Sequence, residues 1–281
     1  MRLATAVIDN RTVFGPVVGD ELCDLGADGR WSCLADALGA AQRADVERAA
    51  VRAPHLPITE LTWVPPIPEP KRILCVGLNY SDHAAESDQA QGQLPAYPTI
   101  FTRFSSSLVG HGAPLVRPAA SMSFDYEGEL AVVIGESARA VPHEHAMRVV
   151  AGYSCLMEGT VRDFQRHTSQ FIPGKNFDRS GAFGPWIVTA EEFDLDSATL
   201  TTRVNGETMQ KAQVNEMLHS VPALVAYCST FTTLEPGDVI ATGTPGGVGY
   251  ARRPQRWLVP GDVVEVEVST IGILSNPVAA E

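Results

Sequence analysis

The stretch Ser123-Phe124-Asp125-Tyr126-Glu127-Gly128-Glu129-Leu130-Ala131-Val132-Val133-Ile134-Gly135 is the one around which the chain is organised. Val132, Val133 and Ile134 are β-branched and Gly135 ends the run, which predicts a strand. Side chains alternate along a strand, so Glu127 and Glu129 project to one face. Gly128 between them lets the backbone pass close to a bulky neighbour. Two adjacent carboxylates on an apolar strand repel each other and resist burial. Either this face is solvated, or a hard divalent cation such as Mg²⁺, Mn²⁺ or Ca²⁺ takes both acids as oxygen ligands.

Downstream, residues 151–158 form another predicted strand, closed by Glu158. Glu158 is either a third carboxylate for the same cation or an acid favoured at a helix N-terminus. Upstream, the predicted buried strand 71–77 runs into a short helix capped by Ser81 or Asp82, with His83 and Glu86 on one face. That pair is either a base with its orienting acid or a surface ion pair. Residues 87–98 are polar and lack an apolar period, so they are expected to be a mobile lid. Arg162 and Gln165 share a helical face and could hold a carboxylate, as could Arg103, whose alternative is a surface pair. Lys175, in an expected loop over 173–178, either approaches a substrate anion or is solvated. The segment 242–249 follows a strand and offers backbone N–H groups and hydroxyls to an anion. It lacks the lysine of a nucleotide-binding loop.

The 281 residues carry a formal charge of −12, which argues against nucleic acid and anionic membranes as partners. Five scattered cysteines without a paired spacing fit a reducing, cytoplasmic setting. No run approaches the length of a membrane span, and no secretory leader is visible at the N-terminus. The proline-rich segment 64–70 marks an expected boundary, with a small N-terminal α/β domain over 1–65 and the main domain over 66–281. Hairpins are expected around Asn10-Arg11 and Asn205-Gly206, and helices over 34–51 and 216–230. Many short strands with few helices predict a β-rich α+β fold with a rolled, barrel-like mixed sheet.

Five stretches occur in a telling order: Val76-Gly77-Leu78-Asn79-Tyr80-Ser81-Asp82-His83-Ala84-Ala85-Glu86, Asp125-Tyr126-Glu127-Gly128-Glu129-Leu130, Arg162-Asp163-Phe164-Gln165, Gly174-Lys175-Asn176-Phe177-Asp178 and Ala241-Thr242-Gly243-Thr244-Pro245-Gly246-Gly247-Val248-Gly249. Over about residues 71–278 the chain thereby resembles the fumarylacetoacetate hydrolase family. The resemblance implies Glu127, Glu129 and Glu158 as ligands of Mg²⁺ or Mn²⁺. It implies His83 and Glu86 as a catalytic dyad, Lys175 as the active-site lysine, and Gln165 and Thr244 as substrate contacts. The expected activity is hydrolysis of a carbon–carbon bond in a small anionic 2,4-dioxo acid such as an acylpyruvate or fumarylpyruvate. A decarboxylase or isomerase of a 2-oxo dicarboxylate in aromatic catabolism is the alternative, and a catalytically silent binding protein on this fold is another. A homodimer is also implied. Two positions depart from the family pattern: Met157-Glu158 stands where Asn-Asp is usual, and Arg103 where many members have lysine.

Overall fold

A computed structural model describes residues 1–39, 42–86 and 96–281. Its central strand, Gly128–Ile134, is buried along its whole length. The reason is visible in its parity. Leu130, Val132 and Ile134 enter one apolar cluster together with Leu200, Val264, Val266 and Leu274. Ala131 and Val133 enter a second cluster with Cys75, Leu156 and Phe183. A strand covered on both faces needs a continuous apolar run, and this one has it.

The central strand pairs antiparallel with Val150–Met157 and with Val239–Ala241. Val239–Ala241 pairs in parallel with Ile73–Gly77, which pairs with Thr99–Thr102. On the other side Val150–Met157 pairs with Gly181–Thr189. A second sheet of five strands contains Glu207–Gln213, Thr199–Val204, Val263–Val268, Gly272–Ala280 and Leu115–Arg117. The two sheets face each other across the first apolar cluster. The architecture is β-rich α+β, as expected, but the sheets are open. In the large sheet the outermost strands of the pairing order, His55–Pro57 and Thr99–Thr102, do not meet, so no closed barrel forms among the described residues.

The expected N-terminal hairpin is present, with Arg2–Ile8 against Arg11–Val18. Asp9 and Asn10 turn it with φ of 48° and 61°, the left-handed pair that a tight hairpin requires. Arg2–Ile8 also pairs with Gly181–Thr189, with Arg2 opposite Val188. Main-chain hydrogen bonding therefore crosses the boundary expected near residue 65. The helix expected over 34–51 is broken into a 3-10 turn, Leu34–Ala37, and a helix, Arg43–Ala50. Gly39 lies between them, and its backbone flexibility disfavours helix. Of the segment expected to act as a lid, residues 87–95 lie outside the described residues. Among the described residues no helix is long and apolar enough to cross a membrane.

Candidate active site

Glu129 is the second residue of the central strand and Glu127 immediately precedes it. The adjoining strand runs antiparallel with Gly128 opposite Met157, so the chain leaving Met157 arrives beside Glu127. There the Glu158 N–H donates to the Glu127 carbonyl at 2.8 Å. One oxygen of each of Glu127, Glu129 and Glu158 lies within 4.8 Å of the others. The three residues are 4%, 1% and 1% exposed, so the solvated-face alternative for Glu127 and Glu129 does not hold. Gly128 is glycine because a Cβ there would lie 2.0 Å from Thr202 Oγ1 of the facing sheet. Its peptide group is held on both sides. Gln210 Oε1 accepts from its N–H at 2.9 Å, and Thr244 Oγ1 donates to its carbonyl at 2.9 Å. Gln210 Nε2 in turn donates to Thr244 Oγ1 at 2.7 Å.

Lys175 closes a one-turn helix, Ile172–Lys175, where a loop was expected, and it is only 2% exposed. Its Nζ donates to Glu127 Oε2 at 2.8 Å and to Glu158 Oε2 at 3.1 Å. Gly174 makes that approach possible, since a Cβ would fall 2.4 Å from the Gln165 backbone nitrogen. Arg162 opens the facing turn, Arg162–Gln165, and joins Asp125 Oδ2 at 2.8 Å; its Nη2 lies 2.7 Å from Glu127 Oε1. Asp125 also accepts from the N–H groups of Tyr126, Gly249 and Tyr250. The glycine-rich segment is thereby tied to the carboxylate cluster.

Arg103 was expected to hold a substrate carboxylate or to sit in a surface pair; it is 3% exposed, so the surface pair does not form. Its guanidinium is buried behind Glu158, 3.9 Å from Oε1, and donates to the Gly159 carbonyl at 2.9 Å, Ser180 Oγ at 2.8 Å and Ser107 Oγ at 3.1 Å. It braces the strand end that carries Glu158.

The electrostatics follow from this packing. Burial pushes the Glu127 carboxyl up, but Lys175, Arg162 and His83 outweigh it and hold the group down at about 2. Burial, then Glu158 and Glu127, drive Glu129 well above the usual carboxylate range, against Lys175 and the Gly243 N–H. Gly243 N donates to Glu129 Oε2 at 2.8 Å. Burial would lower the Lys175 ammonium, and Glu127 and Glu158 more than reverse it. Glu158 Oε1 is buried without a hydrogen-bond partner among the described residues. Three converging carboxylates, one with an unpartnered oxygen and one resisting ionisation, form a donor set that suits a hard divalent cation.

His83 and Glu86 lie on the short helix Ser81–Glu86, with His83 Nδ1 3.7 Å from Glu86 Oε2. Glu86 accepts from the Gly247 N–H at 2.8 and 3.1 Å. His83, Glu86, Gln165 and Thr244 line one cleft with Lys175 and the three glutamates. Gln165 Oε1 accepts from Arg162 Nη1 at 3.1 Å. The structure therefore brings the expected site residues together, most of them lining the cleft and Arg103 behind Glu158. Sequence reasoning missed Gln210, Asp125, Arg166, Phe171 and Tyr250 as contributors. Asp125 stood inside a quoted motif and was legible there. Gln210 carried no local signal, because its partner Gly128 is 82 residues away.

The family model for the fumarylacetoacetate (FAA) hydrolase C-terminal region matches residues 72–279. The mitochondrial oxaloacetate tautomerase of Rattus norvegicus is 38% identical over 244 residues, covering 86% of this chain and 76% of that protein. The human mitochondrial oxaloacetate tautomerase FAHD2A is 39% identical over 232 residues, covering 82% and 73%. Among solved structures, a fumarylacetoacetate hydrolase from Exiguobacterium antarcticum superposes with a TM-score of 0.87 at 36% identity, covering 100% of both chains. A maleylpyruvate hydrolase from Sphingobium sp. SYK-6, in complex with manganese(II) and pyruvate, gives 0.81 at 30% identity, covering 100% and 99%. With its motifs, its fold and its carboxylate cluster in agreement, the chain belongs to the fumarylacetoacetate hydrolase family.

Proposed function

We propose that this chain hydrolyses a carbon–carbon bond in a 2,4-dioxo acid, with a divalent cation held by Glu127, Glu129 and Glu158. The observation that carries the reading is the placement of one base, His83, in the same cleft as the carboxylate–lysine cluster. Bound there, Mg²⁺ or Mn²⁺ would supply Lewis acidity toward the 2-oxo acid end of the substrate. Gln165 and Thr244 orient that end, and Lys175 offers its ammonium to negative charge developing on oxygen. His83, backed by Glu86, takes a proton from water as the water oxygen bonds to the carbonyl carbon at position 4. The bond between carbons 3 and 4 then breaks. Its electron pair passes to carbon 3, and the proton returns there, giving a carboxylic acid and pyruvate. The buried position of Lys175 and the carboxylates keeps bulk water from screening these charges.

A second reading is favoured by one observation. Glu86 spends its carboxylate on Gly247 and stands 3.7 Å from His83 Nδ1. Proton transfer within a 2-oxo dicarboxylate, the tautomerase activity that the mitochondrial relatives' names assign to them, needs no attacking water. The two readings separate on one variant. Under hydrolysis, His83→Ala lowers turnover of acetylpyruvate by about 10²–10⁴, with substrate binding little changed. EDTA abolishes turnover and Mg²⁺ or Mn²⁺ restores it. If His83→Ala keeps most of its turnover, or if oxaloacetate is tautomerised while no 2,4-dioxo acid is cleaved, hydrolysis is the wrong reading. The homodimer belongs to the same proposal, and a monomeric mass by light scattering at micromolar concentration would count against it.

A further inference from the structure

Between the strand Ile73–Gly77 and the helix Ser81–Glu86 the chain turns sharply. Leu78 makes the turn with φ of 58°, a left-handed conformation that residues other than glycine hold only where their surroundings enforce it. The next residue supplies that enforcement. Asn79 is fully buried. Its Nδ2 donates to the Thr242 carbonyl at 2.7 Å and to the His219 carbonyl at 3.0 Å, and its Oδ1 accepts from the His219 N–H at 2.8 Å. Its own carbonyl accepts from the Leu218 N–H at 2.8 Å.

The Thr242 carbonyl and the Gly243 N–H are two ends of one planar peptide group. Asn79 holds the first end, and the second donates to Glu129 Oε2 at 2.8 Å. Gly243 has φ of 101°, and a Cβ on it would lie 2.8 Å from Asn79 Cβ, so the two residues pack as a unit. A donor fixed at the carbonyl fixes the direction of the opposite N–H and polarises it. The same turn leads directly into the helix that carries His83. We propose that Asn79 is a positioning residue that ties the base-bearing helix to the carboxylate cluster. It holds the Gly243 peptide against Glu129 and the start of the helix against Leu218 and His219. The cation side of this inference stands on the cluster alone, and the turnover side rests on the proposed function.

Asn79→Ala removes all three side-chain bonds. Asn79→Ser keeps a hydroxyl donor in the same place and carries the same measurements where the first variant folds poorly. By calorimetry, the Mn²⁺ affinity of Asn79→Ala should fall by about 10- to 100-fold, the cost of losing a residue that orients a metal ligand. Asn79→Ser should recover part of that loss. An asparagine that served the fold alone would lower the melting temperature and leave Mn²⁺ affinity of the folded chain unchanged within about twofold. That result overturns the proposal. With Mn²⁺ saturating, Asn79→Ala should lower kcat on acetylpyruvate by about 10- to 100-fold. In a His83→Ala background it should cost less than about threefold more, because the base it positions is already gone. Losses that multiply in full overturn the tie to the helix. If no 2,4-dioxo acid is cleaved but Mn²⁺ affinity falls, the hydrolase reading fails and the hold of Asn79 on Glu129 stands.

Discussion

Asp262 and Glu129 are both buried acids, and their surroundings are opposite. Asp262 Oδ1 accepts from Arg256 Nη2 at 2.7 Å and Asn205 Nδ2 at 2.8 Å, while Oδ2 accepts from the Val259 N–H at 2.8 Å. Burial pushes its carboxyl up, but those three partners outweigh it and hold it below the usual range. Glu129 has the Gly243 N–H and faces two more carboxylates, and it is driven well above that range. The first acid belongs to a loop that needs tying. The second belongs to a cluster left short of positive charge. A buried carboxylate kept uncomfortable by its neighbours marks a place where something else binds, and that contrast can be tested from both ends.

The largest effect is expected at the uncomfortable end. Glu129→Gln removes one ligand but lets an oxygen still accept from Gly243. Cation affinity by calorimetry should fall by more than about 100-fold, beyond what supporting residues of metal sites cost. The melting temperature without cation should hold, because one of three converging charges is gone. In the unaltered chain, Mn²⁺ at about 100 times its Kd should add about 2.7 kcal/mol of stability, and EDTA should remove it. A Glu129→Gln chain that melts far lower without cation would mean that the cluster is structural.

Asp262→Asn should behave in the reverse manner. It loses charge-assisted bonds and should cost about 1.5–3 kcal/mol in denaturant unfolding, with cation affinity retained. The pH dependence has a definite sign. A carboxyl held lower in the folded state than in the unfolded one contributes stability above its unfolded value of about 3.9, lost as pH falls through the folded value. The stability gap between the unaltered chain and Asp262→Asn should therefore be full near neutral pH and close below about pH 4. A gap that widens on acidification would refute the assignment.

A smaller effect is expected from Gln210→Leu, which releases the Gly128 peptide without touching a carboxylate. Cation affinity should fall by about 10- to 100-fold, as for other residues that orient ligands. An unchanged affinity would show that the strand alone positions Glu127 and Glu129.

How much of this was legible in the sequence depended on distance along the chain. The parity of Glu127 and Glu129, the turn at Asn10, the hairpin at Asn205-Gly206 and the helical face shared by His83 and Glu86 are all set by neighbours a few residues apart. They appear in the structure where they were expected. The helix over 34–51 failed because spacing alone does not show where a glycine breaks the run. The expected helix over 216–230 shortened to Val221–Phe231, with Pro222 in its first turn, a position where proline is tolerated. Lys175 was expected in a loop because Pro173 and Gly174 are turn formers. Its burial comes from packing against the turn that carries Arg162.

By itself the sequence determined the strands and their alternation, the order of five motifs, and hence the family and most of the cleft residues. These are properties of short segments, where backbone periodicity and turn chemistry act alone. Tertiary structure decided that the glutamates are buried and that Arg103 lies behind Glu158. It also decided that Gln210 and Thr244 clamp Gly128, and that the N-terminal hairpin continues the main sheet through Gly181–Thr189. Whether a charge is solvated or enclosed depends on which distant segment covers it. Covering is a property of packed surfaces that no single stretch encodes.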